Sequence, residues 1–149
     1  MVRISLRNIE TMESMNSALF PVHYKDTFSL QILFKKNTFG FLFYEEDYPV
    51  GLCTFTFEKG RVYVMTFGIL VRYRRRGIGR RCMSLVEEYI LQNIGDVLVN
   101  LHVHESNHIG IRFYVKMGYK QVGIDHLYYL DMVPRTAYIL EKNLKYHYE

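Results

Sequence analysis

The segment whose residue types could most directly do chemistry is Arg-Arg-Arg-Gly-Ile-Gly at positions 74–79, between a strand-like run and a helical run. The first turn of a helix presents unpaired backbone N–H groups and the positive end of its dipole, and glycines let an anion approach them closely. Arginines add charge that suits a phosphate. The segment therefore predicts a phosphate-binding turn, although it is neither a P-loop nor a dinucleotide-binding GxGxxG. A basic surface turn that touches ribosomal RNA is the alternative.

Two histidines, His102 and His104, are the next candidates for chemistry. One residue separates them in a strand-like run, so they share a face of the sheet with Leu98 and Asn100. An imidazole there can accept a proton or bind a metal, but a satisfied core histidine fits the same pattern. With His108 nearby, the pair suggests a metal site. Because no fourth ligand is apparent, we expect no metal.

A second strand-like run, residues 61–71, carries an alternating set of large side chains. Alternation predicts that Tyr63, Met65, Phe67 and Ile69 lie on one face. From the residues alone, Tyr63 is most simply an aromatic side chain packed across neighbouring strands.

The elements that must position these residues follow from the periodicity of apolar side chains. Strands are predicted at residues 2–6, near 40–45, 50–58 and 61–71, and at 97–104, 119–124 and 137–140. Helices are predicted up to about residue 19 and at about 26–34, 77–95 and 107–118. The three central strands are expected to form an antiparallel meander, and Ser106-Asn107 to cap the last helix. This order predicts an α/β protein in which a mixed sheet carries helices on its faces.

The length of 149 residues predicts a single domain spanning residues 1–149. Apolar residues make up 49% and charged residues 23%, which excludes a mainly disordered chain. The two cysteines, Cys53 and Cys82, lie in apolar segments and are expected to be small core residues, not nucleophiles or disulfide partners. The sequence shows no signal-peptide pattern and no membrane-spanning run, so we expect a cytoplasmic protein without direct membrane contact.

Positive charge is concentrated in one short segment. Six of the 19 basic residues are arginines between positions 72 and 81, and without them 13 basic residues stand against 15 acidic ones. The local charge favours a bound anion and argues against sequence-specific nucleic-acid binding by the whole chain.

The turn at 74–79 and the segments around it resemble a known family. Arg74-x-x-Gly77-x-Gly79 resembles the acetyl-CoA pyrophosphate motif of the GNAT acetyltransferase superfamily. Further segments resemble the N-terminal amino-acid acetyltransferases, and among them the NatE catalytic subunits: Phe20-Pro21-Val22-His23-Tyr24-Lys25-Asp26, Tyr63-Val64-Met65-Thr66-Phe67-Gly68, Tyr73-Arg74-Arg75, Leu101-His102-Val103, Ser106-Asn107, Phe113-Tyr114, Tyr128-Tyr129 and Leu140-Glu141-Lys142-Asn143-Leu144. The resemblance implies the GNAT fold, a mixed central sheet flanked by helices on both faces.

The resemblance also implies a mechanism. An α-amine has a pKa of about 8, so at neutral pH a base must remove its proton before it can attack a thioester. By resemblance, Tyr63 and His102 hold a water that takes this proton, transfer is direct without an acyl-enzyme, and Tyr114 protonates the departing thiolate. From the residues alone, Tyr114 is equally an aromatic residue on the apolar face of a helix.

The same resemblance implies where the substrates bind. The residues implied for acetyl-CoA are Phe67, Gly68, Ile69, Leu70, Val71, Arg74, Arg75, Arg76, Gly77, Ile78, Gly79, Arg80, Asn107 and Tyr114, with backbone N–H groups of 67–71 binding the thioester and pantetheine. Those implied for the peptide are Phe20, Pro21, Val22, Tyr24, Met65, Tyr128 and Tyr129. The chain departs from the family pattern at His23, Lys25, Leu130 and Asp131, so preference at the second and third peptide residues stays open.

The predicted function is therefore acetyl-CoA-dependent acetylation of protein N-termini, favouring Met-started peptides and using no metal. Partners implied by the resemblance are a peptide or nascent-protein N-terminus, a NatA-type complex and the ribosome. Three alternatives stay open: a catalytically silent subunit of such a complex, acetylation of lysine side chains, and acetylation of another amine.

Overall fold

The computed structural model describes residues 1–20, 26–130 and 133–147. The helices are α1 (Ile9–Leu19), α2 (Asp26–Phe34), α3 (Ile78–Asn93) and α4 (His108–Lys116). The strands are β1 (Val2–Arg3), β2 (Thr38–Glu45), β3 (Tyr48–Glu58), β4 (Arg61–Ile69), β5 (Val97–His104), β6 (Lys120–Asp125) and β7 (Ala137–Leu144). None of the helices within these ranges is long and apolar enough to cross a membrane.

One seven-stranded sheet runs through the molecule in the order β1-β2-β3-β4-β5-β7-β6. The pair β4–β5 is parallel, and the other neighbouring pairs are antiparallel. The predicted mixed α/β sheet and the meander of three central strands are confirmed.

Some predicted boundaries differ from the observed ones. The strand predicted at 61–71 ends at Ile69, and Val71–Tyr73 form a 3-10 turn. The last strand continues past residue 140 to Leu144, which is buried and pairs with Val97. The polar residues at 141–143 hid this extension, because charged side chains interrupt the apolar pattern on which the prediction depended.

Each face of the sheet buries its own apolar cluster. Toward α3 and α4 the cluster includes Phe55, Val86, Ile90, Leu101 and Leu140, and Tyr114 packs against it. Toward α1 and α2 a smaller cluster is built from Ile4, Met12, Met15, Ile32, Leu42 and Leu52. Helices therefore cover both faces, as predicted, and burial of these side chains is the main stabilising contribution.

A β-bulge interrupts β4 in its middle. Val64 pairs with Phe55 and Thr66 pairs with Thr54, so Met65 is an extra residue without a partner in β3. The parallel β4–β5 ladder also ends here, at the pair Val64–Leu101. The bulge thus marks the point where β4 and β5 stop pairing and an opening in the sheet begins.

The bulge also corrects the prediction of one shared face in β4. Phe67 and Ile69 pack with Val64 in the cluster toward α3 and α4, whereas Met65 packs toward α1 and α2. A single extra residue inverts the alternation of all side chains that follow it. Tyr63, Met65, Phe67 and Ile69 therefore do not share a face.

Candidate active site

A cleft of about 920 Å³ lies where β4 and β5 stop pairing. A volume of this size suits a small-molecule or cofactor site. The predicted site residues that line it are Phe20, Tyr63, Met65, Phe67, Gly68, Arg74, His102, Asn107, Tyr114, Tyr128 and Tyr129. The fold thus brings residues from β4, β5, α1, α4 and the β6–β7 connection to one place.

A chain of polar side chains crosses one end of the cleft. The Tyr63 hydroxyl lies 3.0 Å from Nδ1 of His102 and 2.7 Å from the Tyr128 hydroxyl. The Tyr128 ring stacks on the His102 imidazole, with ring centroids 4.0 Å apart and planes 9° apart. Because strand pairing aligns Tyr63 with Asn100, two residues before His102, the parallel β4–β5 register positions this contact. The arrangement can pass a proton from the cleft to the imidazole.

The environment of His102 favours its neutral form. Burial lowers the pKa of His102 below its ordinary value, and the nearby Asp125 carboxylate opposes this shift. Nε2 of His102 lies 3.7 Å from Oδ2 of Asp125, at ion-pair distance but too far for a hydrogen bond. A neutral imidazole can accept a proton at neutral pH.

The predicted phosphate turn begins α3 as expected. Gly77 is the residue before the helix and has a left-handed backbone with φ 72°. Arg75 also has a positive φ, 64°, and the Arg74 Nε donates to the Ile69 carbonyl at 2.8 Å. Left-handed residues in a turn can direct neighbouring backbone N–H groups into a concavity that suits an anion. Exposed arginines at positions 75, 76 and 80 surround it.

The backbone donors predicted along 67–71 are not all available. The Leu70 N–H donates to the Val50 carbonyl at 2.8 Å, so this donor is already engaged within the sheet. In an antiparallel ladder such groups alternate in direction, so the peptide groups of Phe67 and Ile69 point away from β3 toward the opening. The exposed side chain of Val71 lies on a second groove, with Glu10 and Arg72.

Helix α4 contributes two of the predicted cofactor residues. The Asn107 side chain caps the helix, accepting from the Gly110 N–H at 3.0 Å, which confirms the predicted cap. Tyr114 faces the cleft, and burial raises the pKa of its hydroxyl well above the ordinary value. This hydroxyl therefore stays protonated at neutral pH, as a donor to the cleft must be.

Gly79 lies in the first turn of α3 beside Phe113 and Ile69. A methyl group at this position would lie 3.4 Å from the Phe113 ring and 3.5 Å from the Ile69 side chain, which is ordinary van der Waals contact. The packing of α3 therefore tolerates a small side chain at 79, whereas the glycine at 77 serves the turn. Ile78, between them, is buried in the core.

His104 has a different environment from His102. Its Nδ1 accepts from the Ser106 hydroxyl at 2.6 Å, and its Nε2 donates to the Pro134 carbonyl at 2.5 Å. Both ring nitrogens are therefore engaged by the protein. Among the described residues, no group of three or more His, Cys, Asp or Glu side chains is placed to hold a metal.

The two cysteines are buried, free thiols. Burial raises the pKa of Cys53 far above its ordinary value and that of Cys82 to about 11. Neither forms the thiolate that a nucleophile requires, which agrees with their predicted core positions.

The residues predicted to bind the peptide are only partly described. Phe20, Met65, Tyr128 and Tyr129 line the cleft, but the predicted residues Pro21, Val22 and Tyr24 lie outside the described residues. Sequence reasoning missed Leu19 and Phe28, which add apolar surface. It also missed Asp125, because β7 separates the strands of Asp125 and His102 and no local pattern connects them.

The comparisons with known proteins agree with this geometry. Residues 6–119 match the model of the acetyltransferase (GNAT) family. The chain is 32% identical over 146 residues to the probable N-acetyltransferase san of Drosophila melanogaster, covering 95% of this chain and 79% of that protein. It is also 32% identical over 146 residues to N-alpha-acetyltransferase 50 of Danio rerio, covering 95% and 86%.

A solved structure extends the comparison to three dimensions. The Naa50 structure of Arabidopsis thaliana, in complex with the bisubstrate analogue CoA-Ac-MVNAL, superposes with a TM-score of 0.82 at 31% identity, covering 93% of this chain and 94% of that chain. Naa60 of the same plant in complex with acetyl-CoA has a TM-score of 0.82 at 21% identity over 95% of this chain and 96% of that chain, a likeness of fold alone.

These matches confirm the predicted resemblance, the predicted enzyme class and acetyl-CoA as the predicted co-substrate. They cover nearly the whole chain, including the strands that form the cleft and the arginine–glycine turn that begins α3. The chain belongs to the GNAT acetyltransferase family.

Proposed function

We propose that this protein acetylates the N-terminal α-amine of proteins that begin with methionine, using acetyl-CoA. The observation that carries the proposal is the pair Tyr63–His102, with a contact of 3.0 Å in the cleft beside the arginine–glycine turn. The similarity to Naa50 and N-alpha-acetyltransferase 50 over nearly the whole chain supports N-terminal amines as the substrate class.

Tyr63 and His102 serve as the proton-accepting pair. They hold a water that takes a proton from the substrate ammonium, and the proton moves to the imidazole. The low pKa of His102, which burial causes, keeps the imidazole neutral and receptive at neutral pH. The deprotonated amine then attacks the thioester carbon directly, without an acyl-enzyme.

The residues of the turn and of the open edge of β4 hold acetyl-CoA. The peptide groups of Phe67 and Ile69 bind the thioester and pantetheine, while the backbone around Gly77 and the neighbouring arginines bind the pyrophosphate. The full proposed set is Phe67, Gly68, Ile69, Val71, Arg74, Arg75, Arg76, Gly77, Ile78, Gly79, Arg80, Asn107 and Tyr114. Tyr114 donates a proton to the sulfur as the C–S bond breaks and the C–N bond forms.

Apolar side chains at the other end of the cleft select the first substrate residue. Phe20, Phe28 and Met65 line this end and suit the unbranched, uncharged methionine side chain. Pro21, Val22 and Tyr24 complete the peptide site in the proposal. Tyr128 and Tyr129 contact the peptide backbone.

The same similarity supports a proposal for the protein's cellular location and partners. We propose that residues 1–149 act as one catalytic domain in the cytoplasm, as a NatE-type subunit that works with a NatA-type complex at the ribosome. Buried free thiols are compatible with a reducing compartment.

Acetyl transfer to a panel of short peptides, read by mass spectrometry, tests the proposed function. The panel varies the first two residues and includes N-terminally blocked peptides with a free lysine. We expect transfer to the α-amine of Met-started peptides. Transfer only to blocked peptides would identify a lysine acetyltransferase, and acetyl-CoA binding without transfer to any peptide would overturn the peptide substrate.

A further inference from the structure

Asp125 at the end of β6 faces the proposed base from the side opposite Tyr63. The Tyr63 hydroxyl meets Nδ1 of His102 at 3.0 Å, and Oδ2 of Asp125 lies 3.7 Å from Nε2. The two ring nitrogens thus meet different partners. A carboxylate beside Nε2 favours the tautomer with a proton there, which leaves the lone pair on Nδ1 directed to Tyr63.

The same carboxylate also restrains the segment that covers the imidazole. Oδ1 of Asp125 accepts from the Leu127 N–H at 3.2 Å, closing a turn that leads into Tyr128. The Tyr128 ring stacks on His102, and its hydroxyl contacts Tyr63. Asp125 therefore touches both the ring and the segment that carries the ring's stacking partner.

We propose that Asp125 is a positioning residue that fixes the tautomer of His102 and stabilises the imidazolium formed when His102 accepts the substrate proton. The proposal rests on the proposed function, in which His102 receives that proton. Asp125 acts through His102 and does not contact the reacting atoms.

Among the described residues, the titratable groups that face the His102 ring are Tyr63 on β4, Asp125 on β6 and Tyr128 on the β6–β7 connection. The residue paired with His102 on β7 is Ile139, which carries no charge. At neutral pH the two tyrosines are uncharged, so the carboxylate supplies the electrostatic stabilisation. The Asp125 side chain is 41% exposed, which moderates but does not remove this interaction.

The substitution Asp125→Asn removes the charge while its amide oxygen can still accept from Leu127, so the turn is retained. Titration of the His102 ring by nuclear magnetic resonance should show its pKa falling by about one pH unit. The kcat for acetylation of Met-started peptides should fall by about 10-fold, and the decrease of kcat at acidic pH should move to lower pH. The KM for the peptide should stay within about 2-fold of the value for the unsubstituted protein.

Two further variants serve as controls for this experiment. Asp125→Glu keeps the charge and should recover most of the His102 pKa, whereas Asp47→Asn, in the exposed turn between β2 and β3, should change neither quantity. An unchanged His102 pKa and unchanged kcat in Asp125→Asn would overturn the proposal. If the unsubstituted protein acetylates no peptide, the proposed function fails, and the ring titration still decides whether Asp125 acts on His102.

Discussion

At the scale of residues, two histidines of the same strand have opposite environments. His104 is 8% exposed and bonds through both ring nitrogens to Ser106 and Pro134. His102 shares the cleft with Tyr63 and Tyr128. Their spacing in the sequence is that of a metal-binding pair, but the neighbours that the fold supplies make one histidine a structural anchor and the other a candidate base.

The pKa of His102 predicts how activity depends on pH. Burial lowers this pKa below the ordinary value of 6.5, so the imidazole remains neutral down to a pH below 6.5. Because a base acts only when it is deprotonated, kcat should be constant at neutral pH and fall as the pH drops through the lowered pKa. Initial rates with saturating substrates between about pH 5 and 9 measure this limb, and a midpoint above 6.5 would contradict the assignment of His102 as the base.

At the scale of elements, the bulge at Met65 determines where the cleft forms. The ladder between β4 and β5 stops at Val64–Leu101, and beyond it the peptide groups of β4 that point away from β3 face the opening instead of a neighbouring strand. The arginine–glycine turn at the start of α3 follows the same strand after the 3-10 turn. The separation of β4 from β5 and the start of α3 together form a site that neither feature forms alone.

The turn before α3 supplies a prediction with a matched control. Gly77 and Gly60 have nearly equal φ values, 72° and 73°, and a Cβ atom at either would meet no atom within 4 Å. Gly77→Glu and Gly60→Glu should each lose about 1–2 kcal/mol of unfolding free energy, because L-residues resist this backbone conformation.

Only Gly77→Glu should affect acetyl-CoA. Its carboxylate would project from the proposed anion concavity and weaken binding by about 10-fold or more, measured by calorimetry. Gly60 lies in the β3–β4 turn, so its variant should bind normally. Equal acetyl-CoA affinity of both variants would contradict the placement of the pyrophosphate.

His104 connects β5 to the segment that carries Tyr128 and Tyr129. Its imidazole donates to Pro134 at 2.5 Å and meets the Tyr129 ring edge-on at 5.0 Å. His104→Phe would leave the Ser106 hydroxyl and the Pro134 carbonyl without this partner, at a cost of about 1–3 kcal/mol in denaturant unfolding. We expect KM for the peptide to rise while acetyl-CoA affinity is unchanged. A variant with wild-type stability and KM would show that His104 does not anchor this segment.

At the scale of the whole molecule, a partly buried ion pair joins α3 to β7. Lys142 donates to Glu87 at 2.8 Å, and the Tyr119 hydroxyl donates to the same carboxylate at 3.1 Å. The side chains of Lys142 and Glu87 are 23% and 11% exposed. The network connects α3 to β7 through side chains that do not line the cleft.

Two ion pairs of this chain predict contrasting effects on stability. Lys142→Met should cost about 2 kcal/mol or more, because it leaves the Glu87 carboxylate buried without its cation. Lys35→Met breaks the exposed pair Lys35–Glu58 and should leave the free energy of unfolding almost unchanged. Urea unfolding of both variants measures the difference, and similar losses would contradict the role assigned to the buried pair.

Local patterns in the sequence were sufficient for several parts of the fold. The start of α3 at Gly77 and the cap at Asn107 depend on residues that are neighbours in the chain, and both were predicted. The bulge at Met65 was not, because nothing in an alternating pattern marks an extra residue. The pairing of His102 with Asp125 was also missed, because it depends on the order of strands in the sheet.

The measurement that tests the central claim most directly is a kinetic cycle of Tyr63→Phe, His102→Ala and the double variant. If the two residues accept the substrate proton as a pair, each single change should lower kcat by about 10²-fold or more, and the double change should lower it little further. Acetyl-CoA affinity should stay constant in all three, and Tyr48→Phe, at the exposed start of β3, should keep full activity. Normal turnover in both single variants would contradict the account.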